Sequence, residues 1–133
     1  AAGLPGAFRA LLATNGASAI SRFSATPADP PWARPDNTLI TTTANEMAFP
    51  LSYVLASPNS NAANNTWYGQ VLMWTGSIDL VMAGTAATTC NNWNDPAGTT
   101  RFGVVGRSAM EDWRGASSTS CDQTGFRLTC MEE

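Results

Sequence analysis

The residues of this chain that can do chemistry are few. Its 133 residues contain no lysine and no histidine. Without histidine, a Ser-His-Asp or Cys-His arrangement cannot be built. Without lysine, neither a Schiff base nor a phosphate-binding P-loop is possible. Carboxylates remain, chiefly Asp79, Asp95 and the adjacent Glu111 and Asp112. Two carboxylates can hydrolyse a glycosidic bond, but any domain with ten acidic residues offers such pairs by chance. The chain is therefore read as non-enzymatic. Cys90, Cys121 and Cys130 allow one disulfide with one thiol left over. Three cysteines and no histidine fall short of the four ligands a zinc site takes. Asn94 and Asp95 are hard oxygen ligands of the kind calcium prefers, but two side chains are far from the roughly six to eight oxygens it takes.

The composition describes what must position these groups. Hydrophobic residues make up 44% of the chain, which suits one domain with one core over residues 1–133. Charged residues are only 13%, well below the usual quarter. The surface is filled instead by Thr, Ser, Asn, Ala and Gly, as expected of a loop-rich extracellular protein. The seven basic residues, all arginine, are scattered singly and the net charge is −3. No basic patch for a nucleic acid is present. No apolar stretch approaches the ~18 residues of a membrane span. Ala1 is not an encoded start, so the chain is read as a processed form or excised fragment, the C-terminal part of a longer protein. In such a lysine-free, Thr/Asn-rich chain an oxidising compartment is expected, with a disulfide as the default.

Strand patterning is visible at residues 8–13, where Phe8, Ala10 and Leu12 alternate with Arg9. Residues 39–43, 67–74, 102–105 and 126–131 are further strand candidates, with 67–74 the strongest. Residues 17–23 and 49–56 are read as short helical segments. Residues 26–37 hold four prolines and form an irregular surface loop, from which Trp32 packs back as a lid on the core. Residues 57–66 are an Asn-rich loop carrying the acceptor sequon Asn64-Asn65-Thr66. From 77 to 106 the chain is mostly Gly, Thr, Asn and Asp, with an apolar run at 78–82. Phe49, Trp67, Trp74, Phe102 and Phe126 stand in apolar contexts and are expected in the core. Trp93 and Trp113 stand in polar contexts, where each ring either caps the core edge or serves as a surface anchor.

Five segments together resemble one family. "GLPGAFRALLA" (3–13), "FPLSYVL" (49–55), "MWTGS" (73–77), "TTCNNW" (88–93) and "CDQTGFRLTCMEE" (121–133) are similar to the endostatin module of collagens, in order and spacing. They are closer still to the endostatin-like domains of bacterial surface lipoproteins, such as the leptospiral endostatin-like proteins. The resemblance implies a C-type-lectin-like α+β fold: two small antiparallel sheets, one or two short helices and a long loop region, with "MWTGS" as the central Trp-x-Gly strand. It also implies a disulfide between Cys90 and Cys121. In that register Cys130 is unpaired within this chain, its partner lying upstream of Ala1. Trp93-Asn94-Asp95 matches the calcium and sugar signature of C-type lectins. There, however, the string precedes the second-last cysteine, whereas here it follows Cys90. The family's zinc-binding histidines and heparin-binding arginine clusters are missing, so those functions do not transfer.

The function implied is a non-enzymatic, extracellular or cell-surface recognition and adhesion domain, secreted or lipid-anchored through a missing N-terminal region. Its ligand would be a protein or a glycan, held by the long loop region between residues 78 and 113. Trp93, Asn94, Asp95, Asn92 and Asp79 are the candidate contacts. No cofactor is expected, with calcium the one alternative. A calcium-dependent lectin and a structural tip or cap of a larger surface protein are the competing readings.

Overall fold

In the computed structural model the described residues are 6–48, 54–57, 60–61, 66–67, 69–106 and 110–132. For Trp67 and Trp113 the description covers the backbone alone. Phe49 and the asparagines of the sequon lie outside it. The chain is a small mixed α/β protein built on short antiparallel strands.

The organising element is a three-stranded sheet of β4 (Val71–Trp74), β5 (Thr99–Val105) and β6 (Ser117–Ser120), in the order β4-β5-β6. β4 and β5 are rich in the β-branched and aromatic residues that suit a pleated surface. Their register sets Val71 opposite Val105, Met73 opposite Gly103 and Trp74 opposite Phe102. Met73 is fully buried and Val105 is 3% exposed, so one face of the sheet is core. Leu72, Trp74, Phe102 and Val104 alternate with them and belong to the other face. A segment centred on Arg127 runs parallel to β4 on its free side: the Arg127 N–H donates to the Leu72 carbonyl, and the Trp74 N–H donates to the Arg127 carbonyl. The "MWTGS" strand is thus flanked on both sides.

Two smaller antiparallel pairs complete the sheets. β1 (Phe8–Ala10) pairs with β7 (Cys130–Glu132), and β2 (Ser60–Asn61) pairs with β3 (Thr66–Trp67). Among the described residues helical structure is slight: 3-10 turns at Ile20–Arg22 and Ala44–Ala48, a single turn at Cys90–Trp93, and a short helix, Met110–Gly115, packed on β5. The core gathers Leu11, Ile20, Phe23, Ile40, Met47, Val54, Met73, Leu80, Val105 and Met131 from every part of the chain.

Several expectations need correction. The alternation at 8–13 fails after Ala10: Phe8 is 40% exposed, while Leu11, Leu12 and Ala13 are buried in succession. The chain there turns inward, with the Leu11 N–H bonded to the Thr129 carbonyl and the Ala13 N–H to the Thr75 carbonyl. Residues 39–43 form no strand beyond an isolated bridge between Ala33 and Leu39, because Ile40, Thr41 and Ala44 are drawn into the core from an irregular path. The helical segment at 17–23 shrinks to one 3-10 turn, and the Asn-rich loop contains the β2–β3 pair. The long loop region from 78 to 113 is not one loop, since it contains β5, the middle strand of the largest sheet. β6 was invisible to patterning because Ser117, Ser118, Thr119 and Ser120 offer no apolar alternation.

Trp32 does act as a lid. It packs against the core cluster and meets Phe23 edge-on at 5.5 Å. Its indole N–H donates to the Ala44 carbonyl at 2.8 Å, and its own carbonyl accepts from the Ile40 N–H at 2.7 Å. The lid segment is organised by three carboxylates. Asp29 accepts from the Thr26 N–H, Asp36 from the Arg34 guanidinium and the Thr38 N–H, and Glu46 from the Thr42 hydroxyl and N–H. These bonds favour the ionised forms, led by the Thr26 N–H for Asp29, by Arg34 for Asp36 and by the Thr42 hydroxyl for Glu46. All three folded pKa values therefore lie below the ordinary values of about 3.9 for Asp and 4.3 for Glu. A depressed pKa contributes stability that is complete above the unfolded value and is lost as pH falls through the folded value. The lid should hold down to about pH 5 and loosen progressively below about pH 4. Trp32 fluorescence in an acid titration checks this, and Asp36→Asn should lessen the acid-induced change.

Candidate functional site

Cys90 and Cys121 form a disulfide with their Cα atoms 5.8 Å apart, closing a sequence separation of 31. On the loop-entropy account such a closure stabilises by about 3–4 kcal/mol. Bonds of this kind belong to oxidising compartments. Cys130 is a free, exposed cysteine on β7. Among the described residues, no helix is long and apolar enough to cross a membrane, and no group of three His, Cys, Asp or Glu residues is gathered as a metal site.

The residues that follow Cys90 have an unusual backbone. Cys90, Asn91, Asn92 and Trp93 all take positive φ, at 51°, 49°, 60° and 66°. Asn91 and Asn92, with ψ of 56° and 39°, have left-handed helical geometry. L-residues enter this region singly, at about 1–2 kcal/mol each, with Asn among the more tolerant. A run of four non-glycine residues thus stores several kcal/mol, comparable to what the disulfide contributes. The turn closes on itself through the Trp93 N–H to the Thr89 carbonyl at 2.6 Å and the Asn94 and Asp95 N–H groups to the Cys90 carbonyl at 3.0 and 2.9 Å. Thr89, fully buried, accepts from the Asn92 N–H through its hydroxyl, which donates in turn to the Thr85 carbonyl.

The left-handed turn seats Trp93. Its indole N–H donates to the buried Ala13 carbonyl at 3.0 Å. Its ring lies over Gly76, where a Cβ would come within 2.9 Å of Trp93 and 2.7 Å of the Ala13 carbonyl oxygen. Gly76 also has φ of +72°, so glycine is required there for both reasons.

Beyond Gly76 a chain of rings begins. Trp93 meets Trp74 at 6.2 Å, Trp74 stacks on Phe126 at 4.2 Å, and Phe102 meets Phe126 edge-on at 5.3 Å. All four rings are half-buried and lie outside the core cluster. This corrects the expectation that Trp74, Phe102 and Phe126 are core: they occupy the sheet face opposite Met73. Leu72 on the same face is 37% exposed. Leu128, two residues beyond Phe126 along the flanking segment, is 52% exposed. An aromatic ladder with an aliphatic border therefore crosses the outer face of the sheet, with the exposed Asn91, Asn92 and Asn94 at its Trp93 end. Sequence reasoning had named Trp93 and missed the rest. The signal was the alternation of Leu72 and Trp74 against Met73, which identifies two faces but not which one is covered.

The other candidate contacts have structural duties. The Asn92 side-chain oxygen accepts from the Asn15 N–H, and the Asn94 amide donates to the Asn92 carbonyl. Asp95 accepts from the Ala97 N–H, shaping the turn that leads into β5. Asp79 does not join this group. It lies 3.2 Å from Arg114 Nη1, at an angle that makes the contact an ion pair rather than a directed hydrogen bond, and so ties the 78–82 run to the helix Met110–Gly115.

No protein-family model matches the chain, and no curated protein sequence matches it.

Two substitutions test the seat of Trp93. Trp93→Phe keeps a ring but leaves the Ala13 carbonyl without its donor, which should cost about 1–3 kcal/mol. Gly76→Ala places a Cβ against backbone at positive φ and should cost at least as much, about 2–4 kcal/mol. Urea unfolding measures both.

Proposed function

We propose that this chain is a non-enzymatic, extracellular recognition domain of the endostatin-like kind, displayed as part of a longer surface protein, and that it binds a protein ligand on the aromatic ladder. The carrying observation is the ladder itself: four half-buried rings in contact, bordered by exposed Leu72 and Leu128. Contiguous apolar surface of this kind marks interaction sites. Trp and aromatic anchors ringed by adaptable polar groups are the usual energetic centres of protein interfaces. The aliphatic border favours a protein over a sugar, since a sugar is gripped by a ring together with hydrogen-bonding side chains, and here the side chains of Asn92, Asn94 and Asp95 are already bonded to backbone, at Asn15, Asn92 and Ala97.

Support for the endostatin-like reading comes from two features it implies. The bridge joins Cys90 to Cys121, the pairing expected in that register. The "MWTGS" segment begins in β4, supplying Met73 and Trp74, and β4 is flanked by β5 and the Arg127 segment. The catalytic poverty of the sequence supports a binding role.

Surface plasmon resonance against matrix proteins, serum proteins and glycans, with and without calcium, tests the proposal. The expected result is a calcium-independent protein ligand whose affinity falls at least about tenfold in Leu72→Glu and Leu128→Glu, with unchanged melting temperatures, because each places a charge in the apolar contact surface without touching the core. Binding that needs calcium, or is confined to glycans, would favour the lectin reading. A protein ligand indifferent to both substitutions would move the site off the ladder.

A further inference from the structure

The disulfide and the left-handed turn are coupled in a way that bears on the ladder. The turn is tied to the rest of the molecule at its first residue by the Cys90–Cys121 bond and at its last by the Trp93 indole on Ala13. Between these ends, its ties to the body are the Asn91 N–H to the Ala86 carbonyl and the Asn15 N–H to the Asn92 side chain. Four consecutive residues at φ between 49° and 66° would relax toward ordinary backbone if either end were freed. Freeing the Cys90 end removes the covalent tie. Only hydrogen bonds then hold the strain: the indole on Ala13 with its ring contact, the Asn91 and Asn92 bonds to the body, and the turn's own bonds to Thr89 and the Cys90 carbonyl.

The bridge is also asymmetric. Cys90 is 5% exposed, whereas Cys121 is half-exposed at the end of β6. A thiol reductant therefore attacks the Cys121 sulfur. Its thiolate forms a mixed disulfide there, the old S–S bond breaks, and Cys90 leaves as a thiolate that takes a proton from water. A second thiol then leaves with the first as a disulfide and releases the Cys121 thiol.

We propose that Cys90–Cys121 is a redox latch on the ladder: reduction by a thiol lets the left-handed turn relax, withdraws Trp93 from Gly76 and Trp74, and dismantles one end of the ligand face while the sheet persists. The consequence for binding rests on the recognition reading above; the opening of the turn does not.

Hydrogen exchange followed by mass spectrometry tests it without any ligand, so failure of the recognition reading would leave the test intact. The protein carries Cys130→Ser, an exposed position, to prevent scrambling. With dithiothreitol, amides in the segment holding Trp93, Asn94 and Asp95 should exchange at least about 100-fold faster. Those of β4 and β5 should change by less than about threefold, as expected of local rather than global opening. Placing Asn91→Gly and Asn92→Gly in the reduced protein should restore about tenfold or more of the lost protection, because glycine adopts positive φ freely. Unchanged exchange on reduction would overturn the latch. Protection lost evenly across β4 and β5 would make the bridge a general brace, and an ineffective glycine pair would show that strain does not drive the opening. Either result also overturns the proposal.

Discussion

The structure depends on a strained turn held shut. Left-handed backbone from Cys90 to Trp93 is unfavourable for side chains of the L series, and four residues in a row multiply the penalty. It persists because its two ends are fixed to different parts of the body: a covalent bond to the end of β6, and an indole seated over Gly76 and bonded to Ala13. Three segments distant in sequence are thereby brought together around one ring. Strain of this kind is retained where the surroundings over-determine it. Here they do so by chemistry at one end and by packing at the other.

From that point the partition of the sheet follows. Trp93 closes one edge of the outer face, so Trp74 has a neighbour on that side, and Phe126 and Phe102 continue the row. Met73, Val71 and Val105 take the opposite face and join the core. β4 and the half of β5 paired with it are apolar on both faces but buried on only one, which is unusual for a solvated antiparallel sheet. A ladder of half-buried rings can tolerate water at its edges because stacking and edge-to-face contacts among the rings shield part of each one. The same partly shielded condition is what makes such a surface useful to a ligand, which completes the burial.

The N-terminal third is organised on a different principle. Between residues 26 and 37 its prolines disfavour regular strands, and hydrogen bonds from Thr and Arg to Asp29, Asp36 and Glu46 give the path from there to residue 46 its shape. Trp32 then joins this irregular segment to the core through Phe23 and Ala44. The result is a lid whose order depends on ionised carboxylates, unlike the covalently braced region around Cys90.

The sequence by itself determined which functional groups are missing and where one strand of the sheet lies. With no His and no Lys, a Ser-His-Asp or Cys-His arrangement, a Schiff base and a P-loop cannot be built whatever the fold. The strand read at 67–74 was legible from its apolar run Val-Leu-Met-Trp, a local signal, and the structure places Val71–Trp74 in β4 and Trp67 in β3. Trp32 as a lid was legible for a similar reason, a lone large ring in a proline-rich loop. The tertiary structure alone decided which face of that strand would be covered, since Trp74 and Met73 look equally apolar in sequence and only the packing of Leu11, Leu80 and Met131 chooses between them. It also decided the role of Trp93. The two asparagines of Cys-Asn-Asn-Trp tolerate left-handed backbone but do not by themselves impose it, and nothing in the string marks Cys90 or Trp93 for it. In the structure the turn is held at its ends by a bond to Cys121 and an acceptor at Ala13, 31 and 80 positions away. Long-range constraints of this kind override local backbone preference, which is why spacing and composition could not foresee the turn.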